Sequence, residues 1–152
     1  MSENEEQDSR KELTKQMKES QKKWETIVNN LTYKLKNESI KDVCDIQAEA
    51  ISHRQSVVGE VNSYAVKIHK LVSKMKKLTK AKFEFYATSY PVKTSGTEKL
   101  KLIDCDMSEY QEFINELDEH VNFLRETSKN LESINYSVKG RIELYNILGG
   151  YK

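Results

Sequence analysis

The chain has few of the residues that interrupt helices: one proline and five glycines occur among its 152 residues. Apolar residues make up only 37% of the chain, whereas 32% of the residues are charged. This composition is typical of long helices with narrow apolar stripes and argues against a domain with a large core. Because a narrow stripe buries little surface within one chain, we expect subunits to associate and complete the core.

Cysteines are also too few for a disulfide framework. Cys44 and Cys105 lie far apart and match no metal-binding spacing, so we expect free thiols in a reducing, cytoplasmic setting. The sequence contains no run of about eighteen apolar residues and no signal-peptide pattern. We therefore expect neither a membrane partner nor export.

The patterns of common catalytic and cofactor sites are missing as well. His53, His69 and His120 occur in separate contexts, and none has a second ligand at a metal-binding spacing. There is no glycine-rich phosphate-binding loop, and no serine or cysteine stands in a nucleophile-elbow pattern. We therefore expect no enzymatic activity, no metal and no cofactor.

What the chain does have is heptad spacing, most clearly between Val57 and Tyr86. Apolar residues recur there at alternating steps of four and three, the spacing of a helix that packs on another helix. The pattern predicts one helix from its N-cap at Ser39 to about Tyr86. The members of this apolar row are Val57, Val61, Tyr64, Ile68, Leu71, Met75 and Leu78.

A basic pattern accompanies this row, with seven lysines and no acidic residue from Lys67 to Lys82. Four of the lysines each precede a row member by one residue and so flank the row as a stripe, while Lys82 occupies a row position itself. Aromatic residues follow directly. Lysines neutralise phosphates and aromatic rings stack on bases, so the stretch fits a nucleic-acid-binding site; the alternative, favoured by composition alone because charge runs are usually surface, is a solvated lysine face beside core aromatics. The candidate site residues are Lys67, Lys70, Lys74, Lys76, Lys77, Lys80, Lys82, Phe83, Phe85 and Tyr86.

A second heptad row predicts another long helix, with an N-cap at Asp106–Ser108. The stretch 87–102 carries the only proline and a Thr-Ser-Gly turn signal, and short strands around Phe83–Tyr90 and Leu100–Ile103 fit it. We therefore predict a mostly α fold: a long antiparallel helical hairpin whose short connector has room for small β strands. The second row comprises Tyr110, Ile114, Leu117, Val121, Leu124, Leu131, Val138, Ile142 and Tyr145.

The N-terminal part of the chain precedes this hairpin. Residues 1–9 are acidic and have no apolar residue after Met1, which predicts a disordered tail. Residues 10–36 are predicted to form an amphipathic helical segment, with a break near Ser20, and residues 37–152 the main helical domain. Because an exposed Trp24 is unfavourable, we expect this segment to dock on its own chain, on a neighbouring subunit or on a partner protein.

Two further stretches bear on contacts. Residues 104–119 carry seven acids and no lysine or arginine, so within a hairpin they either pair with the lysines of 67–82 or face away from them. The final segment, Val138 to Leu148, carries more apolar side chains than one partner helix covers. We place a subunit contact there and expect a homo-oligomer larger than a dimer. The contact residues are Val138, Ile142, Tyr145, Ile147 and Leu148.

The stretch from Lys76 to Tyr86, KKLTKAKFEFY, resembles the UvsY family of phage recombination mediators, in which a basic helix ends in a Lys-rich triplet followed by an aromatic pair. Tyr136-Ser137-Val138-Lys139, then Ile142-Glu143 and Gly149-Gly150, resemble the closing pattern of that family. Val121-Asn122-Phe123-Leu124 and Lys129-Asn130-Leu131 resemble its penultimate helix. The resemblance extends over roughly Ser39 to Gly150.

This resemblance implies a mediator that binds single-stranded DNA, contacts a single-strand DNA-binding protein and loads a RecA-like recombinase. It also implies a mostly helical subunit in a hexameric or heptameric ring, in the host-cell cytoplasm if the protein is phage-encoded. Lys80 and Lys82 match the basic DNA-contact positions of the family. The rival prediction is a helical scaffold or adaptor without nucleic-acid binding.

Overall fold

Three helices make up the part of the chain that this computed structural model describes, residues 3–37 and 39–149. Helix α1 spans Glu3–Asn37, α2 spans Ile40–Thr88 and α3 spans Gly96–Gly149. No strand occurs within these described ranges, so the prediction of a mostly helical chain is confirmed. Met1 and Ser2, in the predicted tail, and Gly150, in the stretch that resembles the closing pattern of the family, lie outside the described residues.

The connector between α2 and α3 is shorter than predicted. Both predicted strands are wrong: α2 continues to Thr88, and 100–103 lie within α3. The amides of Ser89 and Tyr90 both donate to the carbonyl of Phe85, at 2.8 and 3.0 Å. Helix α2 ends here because Pro91 disfavours helical backbone at the residue before it.

Helix α3 begins at a capping box and not at the predicted N-cap of Asp106–Ser108. The amide of Glu98 donates to Ser95 Oγ at 3.3 Å, and the amide of Ser95 donates to Glu98 Oε2 at 2.7 Å. The bond from that backbone amide holds the pKa of Glu98 below its usual value. A Ser-x-x-Glu pattern is the sequence signal for such a start. This pattern lies well before Tyr110, the first residue of the second heptad row. Placing the N-cap next to that row therefore put the predicted start of α3 too late in the sequence.

The helices divide between two compact units. The first unit contains α1, α2 as far as Asn62 and α3 from His120 onward, and the second consists of Ser63–Glu119. Helix α1 starts at Glu3, in the stretch expected to be a tail, and continues without a break at Ser20. The domain boundaries expected near residues 9 and 36 thus do not coincide with the boundaries of the units.

The two units differ in how completely they bury their apolar rows. Three helix segments enclose the core of the first unit, and their buried residues are Met17, Trp24, Leu31, Val43, Ile46, Ala50, Val57, Val121, Leu124, Leu131, Ile134 and Val138. The second unit has only two helix segments. There α3 buries Ile103, Met107, Phe113, Ile114 and Leu117. On α2 in this unit Tyr64 is buried, whereas the row residues Ile68, Leu71, Met75 and Leu78 stay half-buried.

Helix α1 docks on its own chain, one of the three options that the sequence left open. The side chain of Trp24 is 1% exposed, and its indole Nε1 donates to Glu60 Oε2 at 3.1 Å. Ser20 Oγ and Lys23 Nζ donate to the same carboxylate, at 2.7 and 3.3 Å. One α2 carboxylate therefore holds three donors from consecutive turns of α1.

Glu60 is the group in this contact whose protonation would break it. Burial alone would raise its pKa, but the hydrogen bonds from Ser20, Trp24 and Lys23 together outweigh burial and hold the pKa below its usual value. A carboxyl group with a lowered folded-state pKa contributes stability above its unfolded-state pKa. That contribution is lost as the pH falls through the folded-state pKa.

We expect Glu60→Gln to lower the free energy of unfolding at pH 7 by about 1–3 kcal/mol, the usual loss for charge-assisted hydrogen bonds. The difference from the native protein should begin to shrink as the pH falls below 4.5, the ordinary pKa of glutamate, and should vanish below the lower folded-state pKa, where Glu60 of the native protein is protonated too. Thermal unfolding followed by circular dichroism across this range measures it. Glu25→Gln, at an exposed position of α1, is the control. A deficit that stays constant with pH would contradict the assignment.

Candidate nucleic-acid interface

All ten residues of the predicted DNA site lie on α2 in the second unit. Four of the lysines are exposed: Lys70, Lys76, Lys77 and Lys80. At about 100° per residue they fall within an arc of about 120° on the side of α2 opposite its apolar row. We call these four residues the lysine stripe. It extends about 15 Å along the helix, at about 1.5 Å per residue.

The lysine stripe has no partner among the residues that the structure describes. Within residues 3–37 and 39–149, none of its four side chains forms an ion pair or a hydrogen bond. An ammonium group that is exposed and unpaired can bind a phosphate without first breaking a contact in its own chain. The stripe is therefore the part of the predicted site that is available to an anionic ligand.

The other three lysines are engaged within the second unit. Lys82 Nζ lies 3.1 Å from Asp106 Oδ2, and the same oxygen accepts a hydrogen bond from the Tyr86 hydroxyl at 2.8 Å. The ammonium groups of Lys67 and Lys74 lie over the rings of Tyr64 and Tyr110, at 4.6 and 5.7 Å from the ring centroids. Asp106 thus gives a structural reason for a lysine at the row position of Lys82.

The hydrogen bond between Tyr86 and Asp106 shifts the pKa values of both groups. It is the main reason why the pKa of Asp106 lies below its usual value, with Lys82 acting in the same direction. The same bond raises the pKa of Tyr86, because it stabilises the neutral phenol. A phenolate could no longer donate to the carboxylate and would be repelled by its charge. Tyr86 is therefore fixed as a donor to α3.

Aromatic rings cluster where α2 ends. The ring of Phe85 meets the rings of Tyr86 and Tyr90 edge-on, at centroid distances of 5.3 and 6.1 Å, and Tyr86 and Tyr90 lie 5.0 Å apart. Phe83 and Phe85 remain 51% and 44% exposed. Tyr90 was not among the predicted site residues, because it comes after the predicted end of the helix in the sequence. The fold places its ring beside those of Phe85 and Tyr86. The two exposed phenylalanines offer surfaces on which bases could stack.

The acidic part of α3 leaves the lysine stripe uncovered. All seven acids between Asp104 and Glu119 are exposed. Only Asp106 forms an ion pair with a lysine of the site in the described part of the chain. The sequence left open whether these acids pair with the lysines or face away from them. Within the described residues one acid, Asp106, pairs with a lysine of the site, and the other six do not.

The residues predicted to join subunits fall into two groups. Val138 is fully buried in the first unit and Ile142 is half-buried, so both already pack within the single chain. Tyr145, Ile147 and Leu148 are 56%, 60% and 73% exposed, and Leu144, which was not predicted, is 60% exposed. We call these four exposed residues the apolar end of α3. They remain uncovered in the single chain.

No group of three or more histidine, cysteine, aspartate or glutamate residues is placed to hold a metal ion within 3–37 and 39–149. None of the helices, over these residues, is long and apolar enough to cross a bilayer. The chain matches no protein-family model, no curated protein and no solved structure with which it was compared.

Asp106→Asn should move the pKa of Tyr86 back toward its ordinary value of 10.0, because the carboxylate that favours the neutral phenol is gone. A titration of protein carrying ¹³C at tyrosine Cζ, followed by NMR, measures this change. Asp104→Asn removes the same charge two residues away and should leave Tyr86 unchanged. The hydrogen bond would be refuted by an Asp106→Asn protein in which the titration of Tyr86 is unaltered.

Proposed function

We propose that the protein is a recombination mediator that binds single-stranded DNA and promotes loading of a RecA-like recombinase onto DNA covered by single-strand-binding protein. The observation that carries this proposal is the lysine stripe: four exposed lysines on one side of α2 without a partner in the described residues. The stripe lies just before two exposed phenylalanines. The resemblance of the same stretch to the UvsY family supplies the recombinase and the single-strand-binding protein as partners.

Phosphate contacts are assigned to the lysine stripe, and base stacking to Phe83 and Phe85. Such contacts bind the backbone and the faces of bases, so they carry no preference for sequence. Lys82 and Tyr86 are assigned a supporting role, because both bind Asp106. They fix the end of α2 that presents the phenylalanines.

The proposed subunit contains an antiparallel hairpin and assembles into a ring. The hairpin is supported by two contacts in the second unit: Lys74 meets Tyr110, whereas Lys82, later on α2, meets Asp106, earlier on α3. Assembly is supported by the apolar end of α3, since a row of exposed apolar side chains favours association. A ring of six or seven subunits would repeat the DNA site, and repeated weak contacts raise the overall affinity.

Lys77→Ala combined with Lys80→Ala should weaken binding to single-stranded DNA about equally for all sequences. At about 0.7 per phosphate contact, the slope of log affinity against log salt should flatten by about 1.4 per occupied subunit. Fluorescence anisotropy with labelled oligonucleotides of different sequence, titrated at several salt concentrations, measures both quantities.

Lys15→Ala with Lys18→Ala is the matched control, since it removes two equally exposed charges from α1. It should leave the salt slope unchanged. If the native protein shows no salt-dependent binding at all, the mediator function is ruled out and the helical scaffold is favoured. If the control and the stripe variant behave alike, the lysine stripe is not the contact.

Leu148→Lys should reduce the mass of the native assembly measured by sedimentation equilibrium, because it places a charge in the proposed subunit contact. Leu148 is 73% exposed, so the helicity of the single chain should not change. Val92→Lys, at a connector residue that is 59% exposed, is the control and should leave the mass as it is. A native protein that sediments as a monomer at micromolar concentration would rule out the ring.

A further inference from the structure

The outer side of α2 in the first unit carries a second row at heptad spacing. All six of its members are exposed, and none is charged, in a chain in which 32% of the residues carry charge. Ile51 and Val58 are 53% and 38% exposed. We call this set the outer row, and it comprises Cys44, Ala48, Ile51, Gln55, Val58 and Asn62.

The outer row lies outside the core of the first unit. The residues with which α2 enters that core are Val43, Ile46, Ala50 and Val57, whose centre lies about 130° around the helix from the outer row at about 100° per residue. A surface helix in a chain of this composition normally turns charged residues to water. An uncharged row with alternating steps of four and three is the pattern of a helix that packs on another helix.

We propose that the outer row binds the outer row of a second copy of this chain, with the two α2 helices parallel and in register. An uncharged face meets its own copy without the like-charge repulsion that a charged face would suffer. In heptad terms Cys44, Ile51 and Val58 occupy d positions. Ala48, Gln55 and Asn62 occupy a positions, where a polar amide fixes the register of parallel helix pairs.

The flanks of the row favour the parallel arrangement. In a parallel pair, Arg54 at a g position lies beside Gly59 of the other copy at the following e position. A Cβ added at Gly59 would meet nothing within 4 Å, so the single chain leaves room there for a long side chain. An antiparallel pair would instead bring Arg54 against Arg54 of the other copy. Arg54 already has one partner in its own chain, Glu132 Oε1 at 3.4 Å.

Cysteine cross-linking tests this contact, because Cys44 is exposed and would face Cys44 of the second copy. In a Cys105→Ser protein, diamide accepts two electrons and two protons from two thiols and leaves one disulfide. We expect rapid formation of a disulfide-linked dimer on a non-reducing gel. The triple variant Cys44→Ala, Cys105→Ser, Asn62→Cys should cross-link as well, since residue 62 also faces its own copy.

The control is Cys44→Ala, Cys105→Ser, Ser56→Cys, which places the only thiol at an exposed position of the same helix off the row. It should cross-link at least tenfold more slowly. Equal rates for the control and the Cys105→Ser protein would overturn the proposal. So would cross-linking only when the Cys105→Ser protein is mixed with the Asn62→Cys triple variant, the result that an antiparallel pair gives.

Ile51→Lys, added to the Cys105→Ser protein, separates this contact from the one proposed at the apolar end of α3. It should slow Cys44 cross-linking at least tenfold with unchanged helicity, because Ile51 is exposed in the single chain. Leu148→Lys in the same background should leave the cross-linking rate unchanged. Fast cross-linking that survives Ile51→Lys would show that the row is not the contact.

Discussion

Most of this structure depends on the narrowness of its apolar rows. A helix with one apolar residue every three or four positions buries that row only where other helices cover it, so the number of neighbouring helices decides the burial. In the first unit three segments meet, and Trp24, Leu31 and Leu124 are at most 2% exposed. In the second unit two segments meet; α3 buries its apolar residues there, whereas the α2 row from Ile68 to Leu78 stays half-buried. The apolar end of α3 lies at the same limit, since the three described helices leave its four residues 56–73% exposed.

Ion pairs and hydrogen bonds to single carboxylates join the helices in addition to the narrow apolar rows. Glu60 holds α1 by accepting from Trp24, Ser20 and Lys23, and Asp106 joins the end of α2 to the start of α3 through Lys82 and Tyr86. Each carboxylate serves several donors, and the pKa of each lies below its usual value. An acid used in this way cannot also neutralise a distant lysine. The other six acids of 104–119 form no ion pair with the lysines of the site within the described residues, so a chain with a net charge of only +1 keeps an exposed lysine stripe.

The sequence predicted those features that depend on residues close together along the chain. Heptad spacing placed Val57 and Leu117 in the core, and Ser39 stands directly before α2, where it donates to Asp42 at 2.6 Å. The strand and N-cap errors around 87–108 arose because helix propensity continued beyond the heptad rows. The partners of Trp24 and Lys82 could not be predicted, because Glu60 and Asp106 lie 36 and 24 residues away, and many other carboxylates were equally available. Lys82 shows the effect on function: its row position suggested a DNA contact, whereas the fold gives it Asp106.

The proposed DNA binding and the proposed assembly depend on each other. Four lysines can neutralise only a few phosphates, and at about 0.7 in salt slope per contact a single stripe gives weak, salt-sensitive binding. Repeating the stripe around an assembly raises affinity without any new residue type. Repetition of the stripe raises the affinity only if assembly leaves the lysines exposed. The two surfaces proposed to join copies, the apolar end of α3 and the outer row of α2, both belong to the first unit, whereas every lysine of the stripe belongs to the second. The residues proposed for association and those proposed for phosphate binding thus belong to different units.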